Sequence, residues 1–252
     1  MQTAATQPQS PQTPLHPIFD SGPYRKLETW LGEQSKVGNT PLFSVEQFPW
    51  ATELEAHWQV IRDELDQVLQ QVDALPSFQD IMPRQQRISP DNKWKTYFFC
   101  AFGFVATANC QQCPQTWALL QQVPGLQAAF FSILAPGKHI PEHRGKHKGL
   151  IRYHLGLRVP EPADGCRIRV GDEIRHWVEG ESLIFDDTFY HEAWNETDNY
   201  RVVLFLDIAR PFKWPLNWVN GSVSQLLRFS PLVKQAKENH QQWETRVQKS
   251  QR

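Results

Sequence analysis

The feature that most restricts the fold is a dense series of short apolar runs, broken by turn residues, between residues 126 and 208. Aromatic and β-branched residues predict strands at about 126–135, 149–157, 165–170, 173–178, 182–186, 189–194 and 200–208. Gly, Pro and Asp separate them, as at Pro136-Gly137 and Gly171-Asp172. Strands this short and this closely spaced point to an antiparallel barrel or sandwich. A further strand is expected from Trp94 to Val105, where Thr96, Tyr97, Phe98, Phe99, Phe102 and Phe104 dominate.

Helical patterning surrounds this region. It begins near Pro23-Tyr24 and runs through Trp30-Leu31. It strengthens from about Thr52 to Val72, where Leu54, Trp58, Ile61, Leu65, Val68 and Leu69 recur at three- and four-residue steps. A short helix is expected over Pro114–Gln122, with proline at its first position. Trp214-Pro215 closes the strand region, and residues 216–248 read as helix in two pieces. Four segments follow: a disordered, Gln/Thr/Ser/Pro-rich stretch over 1–23, a helical part over 24–90, a barrel core over 91–215 and a helical extension over 216–252.

A chain of 252 residues suits one barrel with helical additions, and 40% hydrophobic residues with ten tryptophans supply a core. A net charge of −1 argues against nucleic-acid binding, which needs a basic footprint. Residues 222–252 hold six Lys/Arg against two Glu, read as a solvated helix face with a membrane-surface patch as the alternative. Residues 96–137 are uncharged, but polar residues and Pro114 interrupt them, so no stable membrane insertion is expected. The N-terminus lacks a basic head followed by an apolar core, and the protein is expected in the cytoplasm. Cys110-Gln-Gln-Cys113 stands without a second pair at zinc-site spacing and reads as two reduced thiols, with a reversible disulfide as the alternative.

Four of the nine histidines, His139, His143, His147 and His154, lie between Ser132 and Arg158. If residues 139–147 are extended, the first three point the same way, an arrangement that invites a metal. A solvated basic loop is the competing reading. A second stretch, Leu183 to Trp194, runs through Asp186-Asp187 to His191, and Arg201 then opens the run Val-Val-Leu-Phe-Leu. An early histidine, another 48 residues later and an arginine at the start of a late strand form the layout of iron/2-oxoglutarate oxygenases. The words Pro-Gly-Lys-His-Ile-Pro-Glu-His-Arg-Gly, Arg-Tyr-His-Leu-Gly-Leu, Phe-Asp-Asp-Thr-Phe-Tyr-His-Glu-Ala-Trp and Arg-Val-Val-Leu-Phe carry a closer likeness. In these words, over residues 90–212, the chain resembles the aspartyl/asparaginyl β-hydroxylase family, to which lipid A hydroxylases also belong.

The resemblance implies a mostly β fold with flanking helices around a double-stranded β-helix, the cupin-like jelly roll. It also implies a dioxygenase using iron(II), 2-oxoglutarate and dioxygen. It makes His143 and His191 the metal ligands, a choice the residues alone leave open among His139, His143 and His147. The usual third ligand, a carboxylate two residues after the first histidine, is replaced here by Gly145, a departure the family shares. By the same resemblance Asp187 is the carboxylate that orients water at the metal. Ser132, Arg152, His154 and Arg201 are the co-substrate residues, Arg201 with Ser132 at the distal carboxylate and Arg152 with His154 nearer the metal. Each residue alone has an ordinary reading: Arg152 and His154 as the polar face of a strand, Asp186-Asp187 as a turn cap, Arg201 in a surface ion pair.

The expected substrate is aspartyl or asparaginyl, as peptide or amino acid. A lipid acyl chain is the alternative within the family, and a non-catalytic cupin-like binding protein the alternative outside it. Halogenation, which needs an anion at the vacant third position, is disfavoured by Asp187. The oligomeric state is not legible.

Overall fold

The computed structural model describes residues 21–250. The segment expected to be disordered falls outside these residues except for 21–23, where helix α1 (Gly22–Glu33) already begins.

Eleven strands form two antiparallel sheets: β1 Leu42–Phe43, β2 Trp94–Ala101, β3 Phe104–Val105, β4 Leu126–Leu134, β5 Lys138–His143, β6 Leu150–Arg158, β7 Cys166–Val170, β8 Glu173–His176, β9 Ser182–Phe185, β10 His191–Asn195 and β11 Arg201–Ala209. The larger sheet runs β1-β9-β6-β11-β4-β2-β3 and the smaller β5-β10-β7-β8. Facing one another, they make the jelly roll that the family resemblance implied, within the barrel-or-sandwich class that the strand spacing indicated. Strand β1 comes from the helical N-terminal part and pairs with β9, so that part completes the core sheet as well as packing on it.

Period-two alternation gives the larger sheet two buried faces. On one, Phe131, Ile133, Tyr153, Leu155, Leu204 and Leu206 meet helices α2 (Ala51–Ala56) and α3 (Trp58–Leu69) through Leu54, Ile61, Leu65 and Val68. Intervening residues, among them Phe130, Leu134, Val203 and Phe205, face the smaller sheet with Ile140, Ile168 and Trp177. Fully burying one such side chain contributes about 1.5–3 kcal/mol, so both faces resist a one-residue slip in register.

Two sequence expectations need correction. The helix expected over residues 52–72 breaks at His57, whose φ of −110° and ψ of 15° are non-helical. The His57 Nδ1 lies 2.9 Å from the Glu53 carbonyl oxygen and occupies an acceptor that a continuous helix would use. The strand expected over residues 94–105 folds into the β2–β3 hairpin, because Phe102 and Gly103 both take positive φ.

Helices α4 (Phe78–Ile81), α5 (Thr107–Gln112) and α6 (Pro114–Leu120) cover the β2 side. Helices α7 (Leu216–Leu227) and α8 (Pro231–Ser250) follow the barrel. Helix α1 is clamped to the β5–β6 loop: Arg144 donates to both Glu28 carboxylate oxygens, at 2.5 and 2.6 Å, and the Tyr24 hydroxyl donates to the Lys146 carbonyl. All four cysteines are free and buried.

Candidate active site

His143 ends β5 and His191 opens β10, opposite one another in the register. Their ring centroids lie 4.2 Å apart. A bulge aims His143 inward: His191 pairs with His143 and Ala193 with Ile140, so β5 spends one residue more than β10 over the same length. Pro141, with no N–H to donate, is at home in such an irregularity. The extra residue also inverts the face on which His139 lies. His139 is half exposed, stacks on Trp194 with centroids 5.1 Å apart and pairs with Glu192 at 3.0 Å. His147 lies beyond the end of the strand and accepts from the Gly149 N–H at 3.0 Å. The three imidazoles expected to face one way therefore do not.

The Nδ1 of His143 is 2.8 Å from the Pro141 carbonyl oxygen, and that of His191 is 2.9 Å from the Phe189 carbonyl oxygen. A carbonyl only accepts, so each Nδ1 bears the proton and each Nε2 keeps its lone pair. Burial pushes His143 down to about 4 against the pull of the Pro141 carbonyl. Burial, then the facing His143, holds His191 well below the ordinary histidine range. Both rings are neutral near pH 7, the form in which imidazole ligates metals.

Gly145 and Asp187 explain the missing third ligand. A Cβ on Gly145 would sit 2.3–2.4 Å from the Asp187 carboxylate atoms. The carboxylate thus occupies the room a side chain at 145 would need, and the Gly145 N–H donates to the Asp187 carbonyl oxygen at 2.6 Å. Burial raises Asp187 to about 6, opposed by Arg152 at 3.0 Å. Arg152 also contacts Asp207 at 3.1 Å and lies over the Phe205 ring at 4.5 Å. Burial pulls Arg152 down, but the two carboxylates outweigh it and its pKa is raised. Arg152 is therefore already paired, and orients Asp187. The adjacent Asp186 turns away to buried Arg210 and to Lys148 at 2.7 Å, and accepts from Thr188.

A second group of residues lines the same interior. Arg201 is 2% exposed, with its guanidinium carbon 4.2 Å from the Trp177 ring centroid. Its Nε and Nη1 have no hydrogen-bond partner, and burial lowers its pKa to about 10. His154 Nδ1 accepts from the Trp177 indole N–H at 3.3 Å. That contact places the ring proton on His154 Nε2, which is buried and unpartnered. Ser132 Oγ accepts from the Trp94 indole N–H at 3.0 Å, leaving its own proton to donate. Thr96, opposite Ser132, has a buried hydroxyl without a partner. Buried donors without acceptors cost about 1–3 kcal/mol each, and several around one cation describe a pocket shaped for an anion.

Neither Arg152 nor His154 lies on an exposed strand face, and Arg201 makes no surface ion pair. Sequence reasoning missed Trp177, Trp94, Thr96, Asp207 and Arg210. Only Trp177, a lone tryptophan at the end of a short predicted strand, carried a signal. Among the described residues no group of three or more His, Cys, Asp or Glu is arranged to hold a metal. A cation at the His143–His191 pair would have to complete its coordination from ligand or solvent, and two neutral Nε2 donors beside Asp187 fit that arrangement.

Residues 55–211 match the family described as aspartyl/asparaginyl beta-hydroxylase. An ornithine lipid ester-linked acyl 2-hydroxylase from Rhizobium tropici is 49% identical over 210 residues, covering 83% of this chain and 75% of that protein. The aspartyl/asparaginyl beta-hydroxylase of Mus musculus is 32% identical over 163 residues, 63% of this chain but 21% of that much longer protein. Among solved structures, a Pseudomonas putida prolyl-4-hydroxylase aligns over 61% of this chain and 87% of its own at 18% identity, with a TM-score of 0.40. With its family match running from α2 to the end of β11, this chain belongs to the aspartyl/asparaginyl β-hydroxylase family and is a hydroxylase.

Proposed function

We propose that the chain is an iron(II)- and 2-oxoglutarate-dependent dioxygenase that hydroxylates an acyl chain of a lipid, and that it works in the cytoplasm. The observation that carries the cofactor reading is the pairing of two opposed demands in one barrel. Two neutral imidazoles with free Nε2 lone pairs ask for a cation. Arg201 and His154 ask for an anion. A chelating diacid bound together with a divalent metal answers both.

His143 and His191 would hold the iron through Nε2. Arg201, with Ser132 and Thr96, would bind the distal carboxylate of 2-oxoglutarate, and the His154 Nε2–H would donate to the same molecule. Arg152 holds Asp187 in place, so negative charge stands where a ligating carboxylate would otherwise follow His143. Phe130, Phe185 and Phe205 keep the wall dry, which strengthens each of these contacts. When bound, iron and 2-oxoglutarate supply the oxidation that places one atom of dioxygen on an unactivated carbon, leaving succinate and carbon dioxide.

The lipid substrate is supported by the bacterial acyl 2-hydroxylase, 49% identical and aligned over most of both chains. An aspartyl or asparaginyl substrate ranks second, supported by mouse and human relatives at 32% and 31% identity. Four buried free thiols suit a reducing compartment. The test is aerobic incubation with iron(II), 2-oxoglutarate and bacterial lipid extract, following succinate and one added oxygen by mass spectrometry. His143→Ala and His191→Ala should each abolish both products. Succinate formation untouched by either substitution would reject the metal assignment, and oxygen found on peptides instead of lipids would reject the lipid reading.

A further inference from the structure

Helix α7 is anomalous for a surface helix. It contains no charged residue, yet Trp218 and Leu226 are 74% and 69% exposed. Trp214 just before it and Phe229 just after it are 87% and 78% exposed. At about 100° per residue, Trp218, Leu226, Val219 and Val223 fall on one continuous arc. Helix α1 adds exposed Leu27 and Trp30. Between the two helices lies a groove of about 190 Å³ lined by Leu27, Leu31, Leu216, Val219 and Val223, with His147 among its polar atoms. Isolated exposed apolar residues are ordinary, but a continuous patch built from two helices is not.

Charge and chemistry indicate what covers the patch. Between Asp207 and Glu238 the chain has no acidic residue and five cations: Arg210, Lys213, Arg228, Lys234 and Lys237. Arg210 is buried against Asp186, Arg228 stands over Gly103 and Lys234 pairs with Glu238, which leaves Lys213, next to Trp214, as the cation adjoining the exposed tryptophans. An uncharged helix with Trp218 in its first turn, Trp214 just before it and Lys213 adjoining, in a stretch whose charges are all positive, is built for the boundary between headgroups and acyl chains. Anionic headgroups complement those cations. Among the described residues no helix is long and apolar enough to cross a membrane, so this helix would lie along the surface.

The patch also touches the loop that follows His143. The Asn220 side-chain amide donates to the Gly149 carbonyl at 3.0 Å and to the Arg210 carbonyl at 3.2 Å. Gly149 ends the loop that starts at His143, and the groove is floored by His147, Lys148 and Gly149 of that loop.

We propose that the α1–α7 face seats the protein on an anionic lipid bilayer, with Trp214, Trp218, Leu226 and Phe229 entering the headgroup–acyl boundary. The inference deepens the lipid reading above and takes its purpose from it: docking brings an acyl chain to the loop side of the barrel without a membrane span.

Flotation of the full chain with vesicles of phosphatidylcholine, alone and mixed with phosphatidylglycerol, tests this. The wild type should float with the mixed vesicles and more weakly with phosphatidylcholine alone. The triple variant Trp218→Ser, Leu226→Ser, Phe229→Ser should lose at least about tenfold in apparent affinity while forming succinate without lipid at the wild-type rate. Wild type that stays unbound, or a triple variant that floats equally well, would overturn the docking face. So would sedimentation showing that the three residues hold two copies together in the absence of vesicle binding. The outcomes separate from those of the functional reading. Vesicle binding by a chain that makes no succinate would reject the oxygenase and keep the docking face, whereas succinate without vesicle binding would reject the docking face alone.

Discussion

Replacing Arg201 with methionine should make the protein more stable and leave it unable to respond to 2-oxoglutarate. The guanidinium is buried at 2% exposure with two of its nitrogens unpartnered, and burial draws its pKa from 12.5 to about 10. At 1.36 kcal/mol per pKa unit, holding that charge inside costs the fold about 3 kcal/mol. Its stacking on Trp177 returns about 1 kcal/mol. Methionine, about two atoms shorter, removes the charge together with the guanidinium stacked on the indole and leaves an apolar thioether in its place. The net gain is about 2 kcal/mol, or roughly 4–8 °C in Tm for a chain of this size. The assay is thermal unfolding with and without 2-oxoglutarate in the presence of manganese(II). Wild type should show a lower Tm that rises with 2-oxoglutarate, and Arg201→Met a higher Tm that does not. A variant less stable than wild type, or one whose Tm still rises with 2-oxoglutarate, would refute the view that this cation is kept at a cost to stability because it binds a diacid.

Gly145→Ala should drive the Asp187 carboxylate from its place, costing about 1–3 kcal/mol of stability and at least tenfold in succinate formation; urea denaturation and a succinate assay read the two. Trp177→Phe removes the indole donor that sets the His154 proton. The KM for 2-oxoglutarate should rise by roughly fivefold, in line with one lost hydrogen bond of about 1 kcal/mol, with a smaller effect on kcat, measured by steady-state kinetics. His240 of α8 is 1% exposed, and burial pushes its pKa to about 4. The unfolded chain therefore binds a proton between about pH 6.5 and 4 that the native state refuses, and stability should fall as pH drops through that window, by up to about 3 kcal/mol. His240→Gln should flatten the fall measured by urea denaturation at pH 7 and pH 4.5, and an unchanged slope would rule His240 out as the source.

The strands were readable as near-continuous apolar runs because the long strands of the larger sheet are buried on both faces, and for the same reason the division of Phe130 from Phe131 between two cores was not legible. The two histidines, Asp187, Ser132, His154 and Arg201 all line the barrel interior; the residues alone left His139, His143 and His147 open, and only the family resemblance separated them. What escaped notice depends on counting residues across a pair of strands or on partners far apart in sequence. The bulge that turns His143 inward is visible only against β10. The Arg152–Asp207 contact spans 55 residues, and nothing local to either side chain announces it. His57 was read as one more position on a helix because its interruption comes from its own ring contacting a backbone carbonyl.

The clamp between α1 and the β5–β6 loop gives the first helix a reach beyond its own turn. Arg144 adjoins His143 and donates through one guanidinium nitrogen to both carboxylate oxygens of Glu28, while the Tyr24 hydroxyl fastens the same loop two residues further on. A helix fastened at two points cannot tilt without carrying along the backbone that ends at the imidazole. A load applied at Leu27 or Trp30 is thus delivered to the rim of the barrel as a lever delivers it, and whatever rests against that helix has a mechanical handle on the mouth of the cavity.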